Sequence, residues 1–214
     1  MESETVVSSQ MWIALAVMLL LLLGGVVASI MYSFKLHGRI VHQFRLLGEK
    51  FGIELEIPKA TMGGLYRRNP TLYGRCRGHE MSIYPHGYGL DNTRQTDVAV
   101  RITTRASAKL HLTLAKRNLS GKLGQVGRLK EVMTGDAKFD EVYSLKSNDA
   151  EAALAIFNEQ WRAKVVAEWP AEDSFLSLDK SILTHLKSGL PYDDKAREEV
   201  EAMGEFCLDF SENI

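Results

Sequence analysis

Hydrophobic positions are distributed along this chain in three successive patterns. From Met11 to Met31 the sequence MWIALAVMLLLLLGGVVASIM contains no charge. At about 1.5 Å per residue, such a run spans a hydrocarbon layer about 30 Å thick. Trp12 and Tyr32 bracket it, where amphipathic rings favour the headgroup boundary. A cleaved signal peptide is the competing reading, since Val26, Val27 and Ala28 are small enough for a peptidase. Such a leader opens with positive charge, whereas MESETVVSSQ carries Glu2 and Glu4 and no base. The pattern predicts a transmembrane helix over 11–31 preceded by a short extracytoplasmic tail, 1–10.

Over 32–51 the period stays helical. Leu36, Ile40, Phe44, Leu47 and Phe51 follow spacings of 4, 4, 3 and 4, close to a heptad seam, while Lys35, Arg39, Arg45 and Lys50 lie mostly off it. Two uses fit this stripe. One is a parallel coiled-coil homodimer, assisted by Gly24/Ala28 and Gly25/Ser29 at small-xxx-small spacing within the membrane. The other is a single helix whose stripe packs on its own domain or against lipid.

Beyond Gly52 the period drops to two. Short strands are predicted at Ile53 to Ile57, Leu72 to Arg77, Glu80 to Tyr84, Val98 to Ile102 and Leu110 to Leu114, with a tight turn at Gly78-His79. The connections suit antiparallel pairing, so this half reads as a sheet or partial barrel of four or five strands. Glu141 to Leu145 reads as a further strand. A helix follows, opened by Asn148 with Glu151 as a capping box and burying Leu154, Phe157, Trp161 and Val165 until Pro170. Phe175 to Leu178 and Ile182 to Leu186 form a hairpin turning at Asp179-Lys180. A last helix, from about Asp193 to Phe210, buries Val200, Met203, Cys207 and Phe210. The fold class expected is α+β: an N-terminal transmembrane helix, then an antiparallel sheet packed by two helices in a domain over 52–214.

Charge adds direction to this plan. Lys35, Arg39, Arg45 and Lys50 follow the apolar run and nothing basic precedes it, which places the domain in the cytoplasm and the N-terminus outside, in an inner membrane. Tyr66 to Lys130 sums to +10 and Glu131 to Ile214 to -11, so partners, or the two halves themselves, meet across opposite charge. Cys76 and Cys207 are too few for a disulfide framework and read as reduced thiols.

Several groups carry candidate chemistry. Asp136 and Asp140, four apart in MTGDAKFDEVYSLKSND, suit a hard divalent cation and a metal-assisted hydrolase, yet Ala137, Lys138 and Phe139 stand where an EF-hand needs ligands. Their other reading is a turn whose carboxylates bond backbone amides and set Phe139 into the core. Tyr66, Arg67, Arg68, Tyr73, Arg75, Arg77 and Tyr84 mix bases and aromatics as single-stranded nucleic-acid surfaces do, but beside a membrane anionic lipid headgroups are the better partner. The lipid- or partner-binding candidates are therefore Lys35, Arg39, Arg45, Arg67, Arg68, Arg75 and Arg77, or else a solvated face neutralised by the acidic half. GKLGQVGRLK, 121–130, lacks the P-loop lysine spacing and reads as a loop. His79, Glu80 and His86 would meet only across a turn. Neither a Gly-x-Ser-x-Gly elbow nor an activated cysteine occurs, and nothing in the sequence calls for a cofactor.

TGDAKFDEVYSLKSNDAEAAL, following YGRCRGHEMSIY, resembles a group of uncharacterised bacterial membrane proteins in which a Gly-Asp-x-x-Phe-Asp turn leads to a strand and an alanine-rich helix. Gly135, Asp136, Phe139 and Asp140 carry the resemblance, with Tyr143 where the pattern has Phe. It implies the cytoplasmic domain and its topology, and no activity. The reading is a membrane-anchored interaction or membrane-surface module with an unidentified protein partner; the rivals are the Asp136/Asp140 hydrolase and a dimeric membrane scaffold.

Overall fold

The computed structural model of the chain describes residues 2–64, 67–88, 95–119, 129–170 and 172–214, the side chains of 2–10, 62, 88 and 95 excepted. A single helix, α1 (Glu2–Phe51), carries both the apolar run and the stripe that follows it, without a break at Gly24, Gly25 or Gly38. Its apolar segment is exposed throughout, none of it buried against the described residues. Its other end is built into the domain: Ile40, Phe44, Leu47 and Phe51 are all buried, Phe44 and Leu47 completely. The stripe that fits a coiled-coil seam is occupied within the chain, where it packs on the domain.

The domain is one nine-stranded sheet, antiparallel at every pairing, in the order β1-β2-β3-β4-β9-β8-β5-β7-β6. The strands are β1 (Glu54–Glu56), β2 (Thr71–Cys76), β3 (His79–Tyr88), β4 (Gln95–Thr103), β5 (Leu112–Lys116), β6 (Lys130–Glu131), β7 (Tyr143–Ser147), β8 (Ser174–Asp179) and β9 (Ile182–Ser188). The hairpin β8-β9 lies between β4 and β5 and joins them into one sheet; with β7 and the unexpected β6 beyond β5, the four or five strands expected of the basic half become part of nine. Both tight turns use left-handed backbone, Arg77-Gly78 (φ 49° and 84°) and Lys180-Ser181 (φ 51° and 64°), as two-residue hairpins require. Each lies one residue from its expected place.

All helices cover one face of the sheet. α5 (Asp194–Ser211) lies against β4 and β9, burying Val200, Met203, Cys207 and Phe210 at the expected helical spacing. Besides α1, three further α-helices among the described residues join it on this face, where two packing helices in all were expected. α2 (Ala137–Val142) occupies the place where a strand was expected to begin, so β7 starts at Tyr143 rather than Glu141. The helix expected after Asn148 is two: α3 (Ala150–Ile156) and α4 (Glu159–Glu168). Asn158 divides them, because its side chain accepts the Trp161 amide at 3.0 Å and starts a new helix, while Phe157 turns fully inward against Phe139 and Phe210. Asp149 caps α3 through the Ala152 amide, and Asn148 instead ties the chain at Lys109 and His111. Leu154 consequently stays partly exposed, and Ala153 takes the buried position.

α1 and α5 meet at Gly204, where a Cβ would fall 2.4 Å from Phe51 Cζ. A larger residue there would force the Phe51 ring to shift. The contact fixes the lower end of α1 to the helix that spans the sheet.

Candidate membrane-facing surface

The seven basic candidates do not form one patch. Lys35, Arg39 and Arg45 are exposed on α1 on the sides away from the buried stripe. Arg67 joins them near the top of the domain: its guanidinium lies 4.6 Å from the centroid of the Phe34 ring, a cation-π arrangement. Burial, and then the charge of Arg67, hold the His37 imidazole below its ordinary range. Arg68 is exposed beside it.

Arg77 belongs to the other end. It pairs with Glu205 and, at 2.8 Å, with Asp209, both on α5; Lys50 is 3.4 Å from the same Glu205 and Lys164 is 2.6 Å from the same Asp209. Burial pushes the Asp209 carboxyl up, but hydrogen bonds from Lys164 and Arg77 outweigh it and hold the group below its usual range. Lys50 is fifteen residues beyond Lys35, about 22 Å further along the helix. With α1 near the membrane normal, Arg77 lies well beyond the Debye length of about 8 Å from any headgroup. The opposed charges of the two halves are here joined internally, as they are at Arg117 and Glu131 (2.7 Å) and Lys116 and Glu172 (3.4 Å).

Arg75 sits on the helix-free face of the sheet, strongly exposed and 3.7 Å from Glu80, a pair worth little in water. Together with Tyr73, Arg101 and Thr103 these two line an open depression of about 510 Å³ across β2, β3 and β4. Tyr73, Arg75 and Tyr84 were singled out in the sequence, whereas Ser82, Arg101 and Thr103 were not. The signal for the surface was the strand alternation that sends Tyr73, Arg75, Ser82 and Arg101 to one side. Tyr84 shares that side, its ring 6.2 Å from that of His86. Tyr66 and residues 121–128 of the glycine-rich stretch lie outside the described residues.

The Asp136/Asp140 pair resolves into a turn. Asp136 caps α2, its Oδ1 accepting the amides of Lys138 (3.1 Å) and Phe139 (3.3 Å). Asp140 accepts the Thr134 amide and hydroxyl at 3.1 and 3.0 Å and the Gly135 amide at 3.0 Å. Phe139, between them, is fully buried and stacks on Tyr143 at 5.3 Å. Arg162 Nε approaches Asp136 Oδ2 at 3.6 Å, a cation already beside that carboxylate. The Asp136 carboxylate is thus used by backbone amides and Arg162, and that of Asp140 by backbone amides and the Thr134 hydroxyl. His79 and His86 lie seven residues apart on the single strand β3, about 23 Å, so they do not meet across a turn. Among the described residues no three His, Cys, Asp or Glu side chains converge as a metal-holding group. Burial raises the pKa of the Cys76 and Cys207 thiols, which makes both poor nucleophiles.

Replacing Asp140 by Ala is expected to cost about 2 kcal/mol, because two backbone amides and a hydroxyl lose a charged acceptor. Thermal unfolding measures it. The melting temperature of the parent chain should not move with millimolar Mg²⁺, Ca²⁺, Mn²⁺ or Zn²⁺ if the turn reading holds.

No protein-family model and no curated protein sequence matches the chain. Among solved structures, the crystal structure of the mycobacterial trehalose monomycolate transport factor A, TtfA, is similar at a TM-score of 0.52 and 9% sequence identity. The likeness covers 78% of this chain and 93% of that one. At this identity it establishes a shared α+β fold.

Proposed function

We propose that the chain is a single-pass, membrane-anchored interaction module, its N-terminus outside and its domain at the cytoplasmic face of an inner membrane. The observation that carries this reading is the continuity of α1. One unbroken helix is wholly exposed where it is apolar and wholly committed to the domain core where it is amphipathic. An exposed run of this length has no favourable place in water and suits a bilayer. The bases at 35, 39, 45 and 50 favour the domain side as cytoplasmic.

The surface available to a protein partner is the helix-free face of the sheet, where Tyr73, Arg75 and Arg101 border the open depression. TtfA is by name a transport factor. A finer form of the same reading is therefore an accessory role in transport at the membrane, supported by a fold likeness that covers 93% of that chain.

Membranes carrying the full chain test the anchor. After washing at alkaline pH the protein is expected to stay with the bilayer, and added protease is expected to digest 52–214 only in inside-out vesicles. Release by the wash overturns the anchor; digestion in right-side-out vesicles overturns the orientation.

A further inference from the structure

We propose that residues 57–64 with Arg67 and Arg68, between β1 and β2, form a second membrane contact, docking on the anionic headgroups of the leaflet from which α1 emerges. This rests on the reading of α1 as a membrane span. The geometry begins at the bottom of the domain, where the Ile53 amide donates to the Gly48 carbonyl at 3.0 Å and starts β1 beside the end of α1. By Arg67 the chain has climbed back to Phe34, fourteen residues up the helix from Gly48, or about 21 Å. Phe34 is only three residues beyond Met31, so Arg67 stands about 5 Å below the end of the apolar run. That is headgroup depth.

The tip of the connection is a 3-10 turn, Met62–Gly64, closed by the Gly64 amide on the Thr61 carbonyl at 3.1 Å. Gly63 and Gly64 adopt φ of 68° and 95°, and a Cβ on either would meet nothing within 4 Å. The turn thus projects from the domain into open space beside the span. Arg67 Nε reaches back to the Gly64 carbonyl at 3.5 Å, linking the tip to the cation that stacks on α1.

The chemistry of the segment fits an anionic surface. From Ile57 to Pro70 the sequence holds Lys59, Arg67 and Arg68 and no Asp or Glu. From Tyr32 to Gly48 on the adjoining helix it holds Lys35, Arg39 and Arg45 and again no acid. Lys59, Arg67 and Arg68 are exposed, so all three can reach headgroups by extending their stems. On these two segments the first acids are Glu49, Glu54 and Glu56, at the lower end of α1 and on β1; Asp194 of α5 comes higher, accepting from Gln43 at 3.3 Å. Bases within a Debye length of an anionic leaflet are attracted, and α1 has already fixed the distance. Two anchoring points would hold the domain against the membrane at a set tilt.

Hydrogen exchange on the full chain in nanodiscs separates the possibilities. Amides of 57–64 are expected to exchange about tenfold more slowly in discs with one-third anionic lipid than in neutral discs. The difference should vanish in the triple variant K59E/R67E/R68E, while amides of 200–208 in α5 exchange as before. Equal rates in the two lipids, or a variant that keeps the difference, overturn the contact. If α5 in the variant also exchanges faster, the parent chain in 0.5 M salt decides: loss of the difference supports the contact and its persistence overturns it. Fast exchange of 12–30 in both discs would instead refute the span itself.

Discussion

A chain beginning at Gly52 should fail to fold, whereas one beginning at Tyr32 should fold and lose only its anchor. The boundary between helix and domain, placed by sequence pattern at residue 52, cuts through the core. Ile40, Phe44, Leu47 and Phe51 are 7%, 0%, 0% and 5% exposed and pack within one cluster with Leu72, Met81, Met203 and Cys207. Truncating a single buried Phe or Leu costs about 2 to 5 kcal/mol, and a domain is stable by only about 5 to 15 kcal/mol. Removing four such side chains together exceeds that margin. Thermal melting followed by near-UV circular dichroism distinguishes the two chains. A cooperative transition in the shorter one would show that α1 merely leans on the domain.

Stability should fall by about 3 kcal/mol between pH 7 and pH 4.5, and the fall should be much smaller in H185Q. His185 is completely buried on β9, its Nε2 2.9 Å from Ser174 Oγ, with the rings of Trp169 and Phe206 at 5.1 and 6.1 Å. Burial lowers its pKa from 6.5 to about 3. Between those two values the unfolded chain binds a proton that the folded chain refuses, so acid draws the equilibrium toward unfolding through that window. At pH 4.5 the imbalance is two pH units, each worth about 1.4 kcal/mol. Asp209 also loses its folded-state advantage in acid, but only as pH falls below its ordinary 3.8, beneath the range from pH 7 to pH 4.5. Urea midpoints at pH 7, 5.5 and 4.5 read the effect. An H185Q chain with the same slope would assign it elsewhere.

Periodicity made the helices and hairpins legible because it reports burial directly. The charge-free run, the spacing of Val200, Met203, Cys207 and Phe210, and the alternation of β4 each announce a face. Sheet order carries no such signal: nothing local to Ile182–Ser188 says that it pairs with β4 on one side and β8 on the other. α2 was hidden because its six residues hold only one fully buried side chain, Phe139, too short a segment for a period to show. His185 was obscured by its strand, in which Ile182 and Leu186 fall on the side opposite Leu183. The basic residues read as one patch because sequence proximity places Arg67 and Arg77 ten residues apart. The strand between them carries Arg77 away from Arg67 and Phe34 to the level of Lys50.

The Phe51–Gly204 contact turns α1 into a keyed shaft. With no joint between bilayer and domain, the height of the domain and its compass bearing in the plane of the membrane are set by a single count of residues. One residue added between Tyr32 and Ile40 would lower the domain by about 1.5 Å and swing it through about 100°. The face that the sheet offers to neighbours in the same membrane is therefore encoded in the length of a helix that those neighbours need never touch.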